Sequence, residues 1–163
     1  MPGLDGGPGN DKITGQTGND EVNGGDWNLG EGEDAGQDYL GGGDGNDFVC
    51  DGICYASERG PSSGSDDRLL GGPGRDRIMV TGGNDVEDRG GGNDFIGTTY
   101  FVDPDYGTTE TDRGSDTYLG GDGDDNLSAT DGVAGNDTVN GQGHRNGDEC
   151  SADERDTLRN CEN

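Results

Sequence analysis

The chain is short of almost everything an ordinary protein core is made from. Of its 163 residues, 24% are hydrophobic and 6% aromatic, with one Trp, three Phe and two Met. No stretch approaches the ~20 apolar residues of a membrane helix, so membrane insertion is not expected. Ten basic residues face 36 acidic ones, for a net charge of −26. That balance argues against nucleic acid and anionic membranes as partners. His144 is the single histidine, which leaves one side chain suited to act as a base near neutral pH. No nucleophile elbow or metal-protease helix is visible, so the chain reads as non-enzymatic. No signal peptide is visible either. Low hydropathy with high charge reads, by composition alone, as disorder. Ordering costs about 1.5 kcal/mol per residue, and so few apolar side chains do not offset that.

What the chain does have is glycine and aspartate in a fixed phase. There are 37 Gly, and a count along the sequence gives 27 Asp against 9 Glu. The frame Gly-Gly-x-Gly-x-Asp-x-apolar-x recurs every nine residues, and such a period takes precedence over any local reading of helix or strand. Its aspartate falls at Asp11 and Asp20, skips Leu29, and resumes at Asp38 and Asp47. A second block runs Asp67, Asp76, Asp85, Asp94. A third begins at Asp116 and Asp125 and loosens through Asp137, Asp148 and Asp156. Two residues before the marker stands Gly9, Gly18, Gly36, Gly45, Gly74, Gly83, Gly92, Gly114, Gly123 or Gly135. Two residues after it stands Ile13, Val22, Leu40, Val49, Leu69, Ile78, Ile96, Tyr118, Leu127, Val139 or Leu158, while Glu31 and Glu87 break the apolar rule.

Each part of the frame has a chemical reason. Six residues turn the chain sharply and still aim oxygens at one point, which glycine permits through positive φ and close backbone approach. Asn10, Asn19, Asn46, Asn84, Asn93 and Asn136 suit the same left-handed geometry. Aspartate, being short, holds a carboxylate beside its own turn; a merely solvated acidic surface has no reason to prefer it over glutamate. Calcium takes six to eight hard oxygens in irregular geometry, whereas magnesium demands a stricter octahedron. The repeats carry no His or Cys ligand set, so soft metals are not expected, and His144 reads as a surface loop residue. The three remaining residues suit a short strand with its middle side chain inward. Two carboxylates about 4 Å apart repel by roughly 4 kcal/mol at an effective dielectric of 20. The chain deprived of its cation is therefore expected to be expanded and largely unstructured.

The units Gly6-Gly7-Pro8-Gly9-Asn10-Asp11-Lys12-Ile13, Gly42-Gly43-Asp44-Gly45-Asn46-Asp47-Phe48-Val49, Gly71-Gly72-Pro73-Gly74-Arg75-Asp76-Arg77-Ile78 and Gly120-Gly121-Asp122-Gly123-Asp124-Asp125-Asn126-Leu127 resemble the hemolysin-type calcium-binding repeats, also called repeats-in-toxin. The resemblance covers most of residues 6–139. It implies an all-β fold, a parallel β-roll with two nonapeptides per turn, stabilised by several calcium ions lying between loops stacked on one side. Carried onto this sequence, the carboxylate ligands are Asp11, Asp20, Asp38, Asp47, Asp67, Asp76, Asp85, Asp94, Asp116, Asp125, Asp137 and Asp148. The glycines that shape the cage and lend it carbonyls are Gly7, Gly9, Gly18, Gly43, Gly45, Gly72, Gly74, Gly83, Gly92, Gly121, Gly123 and Gly135.

Several stretches depart from the repeat. Residues 24–35 hold Trp27 and Leu29, an insert at about 50–66 holds Tyr55 and Pro61, and another at about 98–113 holds Tyr100, Phe101 and Tyr106. Their aromatic residues form a recognition patch or cover the edge of the roll. The spacings 47 to 67 and 94 to 116 leave open whether each insert hides a degenerate unit. Cys50 and Cys54 form one local pair and Cys150 and Cys161 another, which points to disulfides, an oxidising compartment and a secreted or cell-surface protein, with a zinc site as the rival reading. Residues from about 140 to 163 read as a cap closed by Cys150 and Cys161. One domain is expected over 1–163. The N-terminal end lacks such a cap, so self-association or a neighbouring domain is expected there. Three functions fit: an extracellular calcium-binding structural module; a filament, matrix or adhesin segment; and the repeat region of a larger secreted enzyme.

Overall fold

The structure, a computed structural model, describes residues 3–25, 36–52, 65–80, 82–98, 101–102, 109–110, 114–130, 135–144 and 147–162. Short strands form wherever the repeat reads x-apolar-x, and they alternate between two sheets. Sheet I contains β1 (Leu4–Asp5), β3 (Glu21–Asn23), β5 (Phe48–Cys50), β7 (Arg77–Val80), β9 (Phe95–Thr98), β14 (Asn126–Ala129) and β17 (Glu149–Ala152), in that spatial order. Sheet II runs from β2 (Lys12–Thr14) through β4 (Tyr39–Gly41), β6 (Arg68–Pro73), β8 (Val86–Gly91), β12 (Thr117–Leu119) and β15 (Thr138–Asn140) to β18 (Thr157–Arg159). Two short strands, β13 (Asp122–Gly123) and β16 (Gly143–His144), extend sheet II beside β8. β10 (Phe101–Val102) and β11 (Thr109–Glu110) pair antiparallel outside both sheets. Every pairing within sheets I and II is parallel. One strand from each sheet makes one coil, so the expected parallel β-roll of two repeats per turn is what the chain forms.

The apolar slots stack in register. On sheet I, Val22, Val49, Ile78, Ile96, Leu127 and Cys150 follow one another from coil to coil. On sheet II the column is Ile13, Leu40, Leu69, Glu87, Tyr118, Val139 and Leu158. Between them lies one thin continuous core of fully buried Val, Leu, Ile and Tyr side chains. Such a core is quasi-one-dimensional, each coil supported mainly by its neighbours. Glu87 sits inside that column and is fully buried.

The register also answers the question of the inserts. Asp20 and Asp38, Asp47 and Asp67, and Asp94 and Asp116 each flank a single turn, because the slots on either side of each gap pair in phase. The alternation of sheets therefore continues unbroken across each gap. These long turns all lead from sheet I to sheet II; we call that edge the insert row. The opposite edge, leading from sheet II to sheet I, is the plain row. Its marker pairs 11/20, 38/47, 67/76, 85/94 and 116/125 are all nine residues apart, and 137/148 eleven. Trp27, Leu29, Tyr55, Pro61, Tyr100 and Tyr106 lie outside the described residues.

The final coil is made by β17 and β18 and is closed by the Cys150–Cys161 disulfide, with its Cα atoms 5.7 Å apart. Cys50 is also disulfide-bonded, and Cys54, its expected partner, lies outside the described residues. On the outer face of sheet I, the Arg77 guanidinium lies 5.7 Å from the Phe48 ring centre and 5.6 Å from that of Phe95. This stacking shields aromatic faces that the flat sheet leaves toward water.

Candidate metal centre

The marker aspartates are joined into two ladders. On the plain row the backbone N–H of Asp20 donates to Asp47 Oδ1 at 2.8 Å, Asp47 to Asp76 at 2.8 Å, Asp76 to Asp94 at 2.6 Å, Asp94 to Asp125 at 2.9 Å and Asp125 to Asp148 at 2.9 Å. On the insert row the chain of bonds runs from Asp11 through Asp38, Asp67, Asp85 and Asp116 to Asp137. Asp156 ends it, accepting from Gly135 N–H at 2.7 Å. One carboxylate oxygen of each marker thus stitches neighbouring coils together. The other, Oδ2, is buried and accepts no hydrogen bond at Asp11, Asp20, Asp47, Asp76, Asp85, Asp94 and Asp125. A buried carboxylate oxygen left this way is costly unless a cation faces it.

Glycine makes the space that these oxygens face. At the first position of the plain-row turns, an added Cβ would lie 2.8 Å from Asp20 Oδ2 at Gly15, 2.5 Å from Asp47 Oδ2 at Gly42, 2.6 Å from Asp76 Oδ2 at Gly71 and 3.0 Å from Asp125 Oδ2 at Gly120. Carbonyl oxygens of the next coil close the same spaces: that of Gly42 at Gly15, Arg89 at Gly71, Gly141 at Gly120 and Asn160 at Gly141. Each is a cradle walled by hard oxygens and kept open by the missing side chain. That donor set fits calcium and offers nothing to a soft metal. The expected ligand glycines, Gly123 excepted, have positive φ. Gly74, with φ 157°, also has a steric reason: its Cβ would run into the Gly45 carbonyl of the adjoining coil.

The electrostatics agree with the geometry. Burial, opposed by the backbone bond from Asp47 and reinforced by the charges of Asp94 and Asp47, pushes the Asp76 carboxyl up to about 7. Burial likewise pushes Asp125 to about 6, and raises Asp47 and Asp94. With no cation beside them, burial shifts these groups toward their protonated forms. A divalent ion reverses that preference by supplying the charge that water supplies elsewhere.

The insert row is furnished differently. Its first two cradles, at Gly6 and Gly24, are open and face Asp11 Oδ2 and Asp38 Oδ2. In the following coils the same register position is held by Asp51, Val80, Thr98, Ala129 and Ala152. The methyl groups of Val80 and Ala129 are fully buried there. Hydroxyl groups take up other marker oxygens: Ser65 Oγ donates to Asp67 Oδ2 and Tyr118 Oη to Asp116 Oδ2, both at 3.3 Å. Two carboxylate triads remain on this row among the described residues, Asp51–Asp67–Asp85 and Asp85–Glu87–Asp116, each with its oxygens within 4.8 Å of one another. Charges that close repel by roughly 3.5 kcal/mol per pair at an effective dielectric of 20. Burial, then the charges of Asp51, Glu87 and Asp116, raise the Asp85 carboxyl far above the usual carboxylate range. These triads could hold a cation, and Asp51 and Glu87 were not among the residues the repeat pointed to. Asp51 becomes visible once the register aligns it with Gly24; Glu87 stood out in the sequence as a break in the apolar rule.

The asparagines do something other than expected. None of Asn10, Asn19, Asn46, Asn84, Asn93 and Asn136 adopts positive φ; among non-glycine described residues Gln16, Gln142, Arg155 and Asn160 do. Instead the Oδ1 of Asn10, Asn19, Asn46 and Asn84 accepts a backbone N–H from the next coil, at 3.2, 3.1, 2.9 and 3.0 Å. They form an outer ladder parallel to that of the aspartates, because a side-chain amide oxygen reaches one coil spacing as readily as a carboxylate.

The architecture defines a class, a parallel β-roll whose coils are separated by oxygen-walled, glycine-floored cradles. The family model of the RTX calcium-binding nonapeptide repeat matches this chain in four copies, over residues 4–26, 34–49 and 62–96. RTX nonapeptide repeats bind calcium, several ions to a repeat region. No curated protein and no solved structure matches the chain.

Proposed function

We propose that this chain is a secreted, non-enzymatic structural module that calcium folds into a rigid rod. The observation that carries the reading is the row of buried Oδ2 atoms on Asp20, Asp47, Asp76 and Asp125, each facing a cradle that glycine keeps open. In this reading calcium enters the plain-row cradles and the first two cradles of the insert row. The ligands are the marker carboxylates and the carbonyls of the adjoining coils. When bound, calcium supplies positive charge between coils that the apolar core is too thin to hold alone. The chain's own residues do the rest: glycine turns bring the carbonyls close, the aspartate Oδ1 bonds fix the coil spacing, and the Val, Leu and Ile slots exclude water. Of the candidate ligands read from the sequence, Asp67, Asp85, Asp116 and Asp137 belong to the coils where the insert row is filled, and the two triads sharing Asp85 are where a cation would serve them.

Disulfide bonding at Cys150–Cys161 and at Cys50 supports an oxidising, extracellular location. Extracellular calcium modules work at dissociation constants on the order of 10⁻⁴–10⁻³ M. Calorimetric titration with calcium, followed in parallel by circular dichroism, tests the proposal. Cooperative gain of β-structure with calcium, and little with magnesium, is expected. An ordered roll that persists in excess chelator would remove the basis of the reading.

A further inference from the structure

Position one of the plain-row turns is Gly15, Gly42, Gly71, Gly120 and Gly141, with one exception in the middle of the row, Arg89. The register leaves no doubt of its place: Leu70 pairs with Asp88 and Gly72 with Gly90, which sets Arg89 opposite Gly71. On the other side Leu119 pairs with Asp88 and Asp122 with Gly91, which sets it opposite Gly120. A residue here directs its side chain into the cradle of its own repeat, as the hypothetical Cβ atoms of Gly71 and Gly120 do. The Arg89 side chain is fully buried. Its Nη2 donates to the Asn126 carbonyl at 3.0 Å, and its Nη1 lies 3.8 Å from Asp125 Oδ1, with both side chains inaccessible to water. The charges that act on it most are those of Asp125, Asp94, Glu87 and Asp148.

We propose that the Arg89 guanidinium takes the place of one calcium ion, in the cradle between Asp94 and Asp125, and so divides the plain row into two separate calcium runs. A cradle already filled by a planar cation lacks the space that six to eight calcium bonds need. A buried guanidinium must in turn keep its carboxylate partners, since removing them leaves an uncompensated charge. The coils on either side of this junction therefore carry their own neutralising cation whatever the calcium concentration. The run before it is served by Asp20, Asp47 and Asp76, and the run after it by Asp125 and Asp148.

This inference rests on the calcium reading above, and its test separates the two. Bound calcium is counted per chain by equilibrium dialysis and elemental analysis at saturating calcium, with circular dichroism on the same samples. Three proteins are compared: the native chain, Arg89→Gly and Gly71→Arg. The expected result is one more ion than native in Arg89→Gly and one fewer in Gly71→Arg, with the calcium midpoint for folding of Arg89→Gly shifted upward. An unchanged count in a folded Arg89→Gly overturns the inference while leaving the calcium reading standing. So does an Arg89→Gly chain that fails to fold at any calcium concentration, because an ion was to replace the guanidinium. A native chain that binds no calcium overturns both.

Discussion

Along the plain row, Gly15, Gly42, Gly71, Gly120 and Gly141 keep five cradles open in front of marker carboxylates. Along the insert row, after Gly6 and Gly24, the equivalent places hold Asp51 and the side chains of Val80, Ala129 and Ala152. The markers, the ladder of Oδ1 bonds and the stacking glycines are shared by both edges. What differs is how the second carboxylate oxygen is satisfied. In the proposed reading the plain row leaves it to a solution cation or, once, to Arg89. On the insert row the Ser65 and Tyr118 hydroxyls donate to two of these oxygens, and the buried side chains of Val80 and Ala129 stand where a cradle would be open. The contrast shows that an aspartate at the marker position does not by itself specify an ion site. The residue at the first position of the turn decides whether the carboxylate faces a cradle or a side chain.

This comparison can be broken by experiment. The largest effect is expected from Gly71→Val. Crowding against Asp76 Oδ2 and the Arg89 carbonyl, together with loss of the ion, should cost about 4 kcal/mol. Calcium titration should show at least one ion fewer; an unchanged count would return the plain row to an ordinary turn. Next comes the double change Cys150→Ser with Cys161→Ser. Opening a loop of this size should cost about 3 kcal/mol in chemical unfolding, with the ion count unchanged. Val80→Gly, on the insert row, empties a filled position and should cost about 2 kcal/mol through lost packing; it should not lower the ion count, as filling the plain-row cradle in Gly71→Val does. The smallest effect has the opposite sign. Glu87→Leu returns an apolar side chain to the column of Leu69 and Tyr118 and removes a buried charge beside Asp85 and Asp116. Folding should then need about threefold less calcium, roughly 0.7 kcal/mol, and a midpoint that moves upward would show Glu87 to be stabilising where it stands.

Much of this could be read from the residues, because the repeat states the period, the turn residues and the inward slot together. The inward slots from Ile13 to Leu158 follow from the repeat itself, whereas their division into two columns waits on the pairing across the inserts. Nor do the rows follow from the repeat. Which turns share an edge depends on whether an insert of nine, eleven or thirteen residues contains a hidden strand, and spacing cannot decide that; pairing of Leu40 with Leu69 and of Ile96 with Leu127 does. Asp51 was silent for the same reason, since its alignment with Gly24 crosses a coil and an insert. Arg89 was legible in principle, five residues before Asp94 where its counterparts are glycine, but its meaning depends on the cradle it fills. The asparagines were assigned a backbone role by propensity, and the neighbouring coil claimed their side chains instead.

The most direct test of the central claim is to locate the ions. Crystals of the chain grown with calcium, or with a lanthanide in its place, would show anomalous peaks at the bound cations. The account predicts peaks along the plain row beside Gly15, Gly42 and Gly71 and again beside Gly120 and Gly141, with a gap where Arg89 stands between Asp94 and Asp125. Peaks confined to the insert row, or a continuous file that includes the Arg89 position, would contradict it.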